Sequence, residues 1–136
     1  MDKAYVVIGL GFGDEGKGMM VNHLTVEKQA TLNVRFSGGA QCLHNVILDD
    51  GRHHTFRQLG SGSFHPWVST LYGKYALFDP TQFEYERKEF EAIPGTPPVK
   101  GRYFLHEDAA VTTAYHRIIS RFRELARTSR HGSVGR

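Results

Sequence analysis

The sequence predicts an α/β fold, a P-loop-like mixed sheet flanked by helices, and three observations support this class. Short apolar runs alternate with longer segments in which apolar residues recur every three or four positions. A glycine-rich segment, residues 11–18, directly follows the first apolar run. The 136 residues, 40% of them hydrophobic, suffice for one core and fall short of two ordinary domains. We therefore expect one α/β unit.

The first half of the chain predicts a strand, a helix, a strand and a hairpin. The strand at residues 5–9 is apolar, and the helix at residues 17–27 carries its apolar side chains at helical spacing. A second strand covers residues 32–36. The hairpin has strands at residues 45–48 and 53–56, because Asp-Gly at the turn between them favours a tight connection.

The second half of the chain continues the alternation of predicted strands and helices. Asp79 offers an N-cap and Pro80 suits the first position of the helix that follows. The last helix has a continuous apolar face that includes Ile118 and Phe122. The elements predicted here are strands at residues 68–71, 75–78 and 102–105 and helices at residues 81–92 and 112–127.

Composition narrows the classes of partner. The net charge of +3 is too small to predict a nucleic-acid partner. No apolar stretch reaches the length of a membrane span, and the N-terminus lacks a signal-peptide pattern. A single cysteine, Cys42, excludes an internal disulfide and suits a reducing compartment. We expect a cytoplasmic protein that binds neither nucleic acid nor membranes.

The glycine-rich segment predicts a phosphate-binding loop. Residues 11–17 fit the GxxxxGK pattern of a P-loop, with Gly18 where a magnesium-binding hydroxyl usually stands. The same residues also fit the GxGxxG pattern of dinucleotide folds, but Arg35 falls where that fold places an acidic residue. A nucleoside phosphate is therefore favoured, while NADP and a glycine-rich turn without a ligand stay open.

Asp14 is unusual in such a loop. Backbone amides, the positive end of the following helix and Lys17 all attract phosphate. A carboxylate among them repels the ligand unless a cation or a chemical role offsets its charge. Asp14 is therefore a candidate magnesium ligand or proton acceptor.

A second glycine-rich segment leads to a histidine. Gly38 and Gly39 follow the predicted second strand, and His44 comes five residues later. Loops at the carboxyl ends of strands are where open α/β sheets bind ligands. His44 is therefore a candidate catalytic residue, with a structural role as the alternative. Cys42 fits a small buried thiol better than a nucleophile.

Four segments together resemble the adenylosuccinate synthetase family. They are GDEGKG at residues 13–18, VRFSGG at residues 34–39 followed by His44, LGSG at residues 59–62, and HGSVGR at residues 131–136. Their order and spacing match across the whole chain, and the first is highly specific to the family. The resemblance implies a ligase that joins IMP and L-aspartate, with GTP and Mg²⁺, to form adenylosuccinate on the route to AMP.

The resemblance also implies roles for particular residues. The catalytic residues would be Asp14 as the base, Lys17 on the phosphates and His44 as an acid. Asp14 and the backbone carbonyl of Leu43 would hold Mg²⁺. The implied nucleotide-binding residues are Gly13, Asp14, Glu15, Gly16, Lys17, Gly18, His44 and Asn45, and those implied to bind IMP are Asp14, Gly39 and Ser133.

The chain departs from the family in length and in detail. Family members are much longer, so residues 1–136 resemble the N-terminal nucleotide- and IMP-binding part of a larger, homodimeric synthetase. We expect such a part to be inactive alone. A phage branch of the family makes 2-aminoadenylosuccinate from dGMP and replaces the catalytic aspartate. Asp14 therefore favours IMP, and the phage-like reaction stays open. ATP in place of GTP, a non-catalytic nucleotide-binding remnant and an NADP-binding fragment stay open as alternatives.

Overall fold

The computed structural model describes residues 3–36, 38–39 and 42–126. Within these ranges the chain forms three helices and seven short strands. In order they are α1 (Lys17–Glu27), β1 (Leu32–Arg35), β2 (His44–Ile47), β3 (His53–Phe56), β4 (Ser69–Tyr72), β5 (Leu77–Phe78), α2 (Pro80–Glu91), β6 (Tyr103–Leu105), β7 (Ala110–Val111) and α3 (Ala114–Leu125).

The strands form three small sheets. The largest has the order β1-β4-β6 with all strands parallel, so that Val34 pairs with Leu71 and Leu71 with Phe104. β2 and β3 form the predicted antiparallel hairpin, with Val46 opposite His54. β5 and β7 form a parallel pair. The parallel sheet, with α2 in the connection from β4 to β6, confirms the α/β class.

The hydrophobic core lies between the hairpin, α2 and the segments beside them. Its buried members include Val46 of β2, Phe56 of β3 and Phe90 of α2. The ring centroids of Phe56 and Phe64 lie 5.5 Å apart and the rings are nearly perpendicular, which is a favourable aromatic geometry. The alternation of side chains along β3 thus turns one face of the hairpin inward and leaves the other free.

A buried carboxylate fixes the chain after the hairpin. Glu86 of α2 is 1% exposed. Its carboxylate accepts hydrogen bonds from the backbone N–H groups of Arg57 at 2.7 Å, Gln58 at 2.5 Å and Leu59 at 3.3 Å. Three charge-assisted bonds offset the cost of burying the charge, so Glu86 holds residues 57–59 against α2.

The N-cap of α2 is confirmed. The Asp79 carboxylate accepts hydrogen bonds from the N–H groups of Thr81 and Gln82, each at 3.0 Å, and Pro80 begins the helix. Arg117 of α3 also pairs with Asp79. This ion pair ties the last described helix to the start of α2.

Residues 5–9 do not form the predicted strand. They lack regular structure, and Val6 and Ile8 are 68% and 66% exposed. A strand needs a neighbour for its backbone hydrogen bonds, and none of the described strands pairs with this segment. The strand prediction was therefore wrong, although the apolar pattern on which it rested is real.

Helices α1 and α3 bury little of their apolar surface. The inner face of α1 carries Gly18, Asn22 and Thr25, whereas the apolar Met20 is 49% exposed. This polar face is stabilised by a hydrogen bond of 3.0 Å from the Asn33 side chain to Thr25 Oγ1. The apolar face of α3 is exposed throughout, since no residue of that helix is buried.

β7 was not predicted from the sequence, because its two residues are too few to show the alternation of side chains that marks a strand. Among the described residues, no helix is both long and apolar enough to span a membrane.

Replacing Glu86 with glutamine should destabilise the fold by about 3 kcal/mol, because the amide NH₂ group would face backbone N–H donors inside the protein. Urea unfolding followed by circular dichroism measures this change. Glu84→Gln on the same helix is the control, since the Glu84 side chain is exposed. Equal unfolding midpoints for the two variants would contradict the anchoring role of Glu86.

Candidate phosphate-binding site

The glycine-rich loop has the backbone shape of an anion-binding turn. Gly13 has a φ of 113°, Asp14 of 52° and Gly16 of 70°, all in the left-handed region. Gly16 is also the N-cap of α1 and provides no side-chain cap. The positive end of α1 is therefore left to interact with a ligand, as in sites that bind phosphate at helix N-termini.

A cleft of about 550 Å³ opens beside this loop. The loop, the first turn of α1 and the hairpin all contribute to its walls. Three residues predicted to be catalytic, Asp14, Lys17 and His44, line it together. Leu43 and Asn45, both predicted to bind ligand, line it as well, and so do the loop residues from Glu15 to Gly18.

Gly18 explains why α1 and β2 can share one cleft. A Cβ atom at position 18 would lie 2.9 Å from the His44 Cβ and 3.0 Å from the Asn45 carbonyl oxygen. Any side chain there would push the hairpin away from the helix. The residue that departs from the P-loop pattern is therefore the one that brings His44 to the phosphate loop, a role that the spacing alone did not reveal.

The imidazole of His44 is neutral at pH 7 in the free protein. Its pKa is lowered to about 4, mainly by burial and in addition by the positive charges of Arg35 and Lys17. The expected role of His44 as an acid therefore requires an anion in the cleft, because a nearby negative charge raises the pKa of a histidine.

Lys17 is engaged by a neighbour in the free protein. Its ammonium group lies 2.6 Å from Glu15 Oε2, while Glu15 Oε1 accepts a hydrogen bond of 2.5 Å from the Gly11 N–H. Both contacts lower the pKa of the Glu15 carboxyl group, and the hydrogen bond from Lys17 has the larger effect. The Glu15 carboxylate thus engages Lys17, the cation that lines the cleft.

The hairpin supplies polar groups to the same cleft. The Asn45 side-chain oxygen accepts a hydrogen bond of 3.2 Å from Thr55 Oγ1 and also contacts the ring of His53. Thr55 lines the cleft, and the sequence analysis did not name it. The alternation along β3 could have identified it, because Phe56 points into the core and its neighbour must face the other way.

The donors at the cleft suit magnesium. No cluster of three or more His, Cys, Asp or Glu side chains occurs within the described ranges. Mg²⁺ is usually held by one or two protein oxygens together with substrate phosphates. The Asp14 carboxylate and the Leu43 carbonyl, on residues that line the same cleft, are oxygen donors of this kind.

Gly39, which is implied to bind IMP, is not among the residues that line the cleft. Gly39 lies in the loop before β2, where its carbonyl accepts a hydrogen bond of 3.3 Å from the Cys42 N–H. Its neighbour Gly38 forms a bridge to Ala76. Ser133 lies outside the described residues.

The fold and the cleft define an α/β protein with a glycine-rich loop at the start of its first helix. The family model described as adenylosuccinate synthetase matches residues 6–136, and the chain belongs to that family. The family name denotes a ligase of purine biosynthesis.

Curated relatives share the family name. The chain is 31% identical to an adenylosuccinate synthetase of Chlorobium chlorochromatii over 134 residues, which cover 98% of this chain and 30% of that protein. It is 35% identical to one of Paraburkholderia phytofirmans over 132 residues, 96% of this chain and 28% of that protein. The chain therefore spans about 30% of the length of these relatives.

Two solved structures have a similar fold. A fully ligated adenylosuccinate synthetase from Plasmodium falciparum aligns with a TM-score of 0.70 and 21% identity, covering 83% of this chain and 25% of that one. A succinoaminodeoxyadenylate synthetase of cyanophage S-2L, bound to dGMP and dATP, aligns with a TM-score of 0.66 and 22% identity, covering 90% of this chain and 32% of that one.

Titration of His44 tests the electrostatics of the cleft. We expect a pKa of about 4 in the free protein and a clear rise when tripolyphosphate is added. Because the folded pKa lies below the unfolded value, His44 lowers stability as the pH falls from about 6.5 toward 4. NMR of the imidazole protons measures both pKa values. A free-protein pKa near 6.5 would show that the ring is not desolvated.

Proposed function

We propose that this chain carries the phosphate-binding and phosphoryl-transfer part of an adenylosuccinate synthetase. The complete reaction converts IMP, L-aspartate and GTP to adenylosuccinate, GDP and phosphate. The observation that supports the proposal is the convergence of Asp14, Lys17 and His44 on one cleft in a member of this family. Residues 1–136 would form the nucleotide- and IMP-binding part of a larger synthetase domain.

In the first step, the nucleotide phosphates bind along the loop. Lys17 and the backbone amides of Glu15 to Gly18 hold them, with the positive end of α1 adding to the attraction. Asp14 and the Leu43 carbonyl would hold Mg²⁺, which offsets charge on the phosphates when bound. Asn45, fixed through Thr55, completes this wall of the site.

Asp14 then accepts the N1 proton of IMP. The electron pair released makes the 6-oxygen nucleophilic, and this oxygen attacks the γ-phosphorus of GTP while the bond to the β-phosphate oxygen breaks. Phosphoryl transfer needs mainly positioning and charge neutralisation, which the amides and Lys17 supply. With the phosphate beside it, His44 gains a proton and stabilises the charge that develops between the γ-phosphate and the 6-oxygen.

The second step replaces the phosphate. The amine of aspartate attacks C6 of 6-phosphoryl-IMP, phosphate leaves, and adenylosuccinate forms. Recognition of aspartate and of the guanine base is assigned to the rest of a synthetase, because the chain spans only about 30% of its relatives. Gly39 and Ser133 are proposed to contact IMP, and the complete protein is proposed to be a cytoplasmic homodimer.

Lys17→Met should weaken binding of GTP with Mg²⁺ by about tenfold, because a charge-assisted contact to phosphate is lost. Isothermal titration calorimetry measures the affinity. Lys74→Met is the matched control, since Lys74 is exposed and pairs with Asp108 rather than with cleft residues. Equal affinities of Lys17→Met and the unaltered chain would contradict the assignment of the loop to phosphate.

The chain alone should form no adenylosuccinate from IMP, aspartate and GTP, although it binds nucleotide. Product is measured by its ultraviolet absorbance after chromatography, with dGMP and ATP tested as alternative substrates. Turnover by the purified chain that disappears in Asp14→Asn would overturn this expectation. It would show that these 136 residues suffice for the reaction.

A further inference from the structure

We propose that the Glu15 side chain is an internal competitor for the nucleotide phosphate and thereby sets which anions the loop accepts. This inference rests on the proposed function of the loop. It concerns the side chain of Glu15, whereas the phosphate site uses the backbone amide of the same residue.

The carboxylate of Glu15 is held by two hydrogen-bond donors of the glycine-rich segment. It accepts hydrogen bonds from the Gly11 N–H at 2.5 Å and from Lys17 Nζ at 2.6 Å. A Cβ atom at Gly9 would lie 2.0 Å from Glu15 Oε2 and 2.8 Å from Lys17 Nζ. The ion pair therefore rests directly on the backbone that precedes α1.

One of the two donors that Glu15 uses, Lys17, is proposed above to hold the nucleotide phosphates, and the other, the Gly11 N–H, belongs to the same glycine-rich segment. A backbone N–H of a glycine-rich loop and the P-loop lysine are groups that contact phosphate oxygens in sites of this type. A single N–H has one proton to donate, so it makes its full bond to only one of the two anions. A phosphate that binds to Gly11 and Lys17 must first displace the Glu15 carboxylate.

This competition discriminates among anions. A simple carboxylate offers the loop the same charge and the same acceptor oxygens as Glu15, and it must also lose its translational freedom on binding. A polyphosphate brings several charges and more acceptor oxygens, so it can displace the internal carboxylate. The Glu15 carboxylate therefore prevents carboxylates and other small anions from binding to the loop, whereas nucleotide phosphates can displace it.

The direct test measures binding of tripolyphosphate without metal by isothermal titration calorimetry. Glu15→Gln should bind about fivefold more tightly than the unaltered chain, because an amide is a weaker competitor for Lys17 and the Gly11 N–H. Asp14→Asn removes the same charge one residue away without freeing these donors and should gain less. Glu27→Gln, which breaks an exposed pair with Lys28, should change nothing.

The chemical shift of the Gly11 amide proton is a second measurement. It reports on the hydrogen bond to Glu15, which a general change of charge near the loop would not break. This proton resonance should shift in free Glu15→Gln, and in the unaltered chain it should shift when tripolyphosphate binds. Equal or weaker binding by Glu15→Gln, or a gain no larger than that of Asp14→Asn, would overturn the competition and leave the phosphate site intact. Failure of all these proteins to bind tripolyphosphate would overturn both proposals.

Discussion

The close approach of α1 to the first strand of the hairpin is the constraint on which the site depends. It is possible because Gly18 has no side chain, so the helix backbone nearly touches His44 and the Asn45 carbonyl. The hairpin is itself held from behind by the aromatic core and by Glu86, which fixes the chain just after β3. Packing far from the cleft therefore determines where its imidazole lies relative to the phosphate loop.

The charges in this region balance one another before any ligand arrives. Lys17 is paired with Glu15, and the half-buried His44 is neutral. A buried cation beside Lys17 and Arg35 would be costly, and neutrality of the imidazole avoids that cost. Under the proposed function, a bound phosphate would reverse both conditions, because it would compete for Lys17 and favour a protonated ring. The affinity of the loop for phosphate and the protonation of His44 would then be linked.

Local chemistry made much of the fold predictable. The N-cap at Asp79, the turn at Gly51 and the helix from Lys17 to Glu27 depend on neighbouring residues, and sequence reasoning placed all three. The strand at residues 5–9 failed because a strand depends on a partner that no local pattern reveals. In the site, motif spacing pointed to Asp14, Lys17 and His44. Their meeting in one cleft, the contact at Gly18 and the Glu15 pair depend on tertiary approach, which spacing does not encode.

The left-handed backbone of Asp14 decides which replacements can report on its chemistry. At a φ of 52°, asparagine and glycine fit without backbone strain, whereas valine or isoleucine would force the turn to rearrange. An asparagine at this position therefore isolates the effect of the carboxylate charge from any change in loop shape. A library that samples all amino acids at position 14 would mix the two effects, and only its asparagine and glycine members would separate chemistry from conformation.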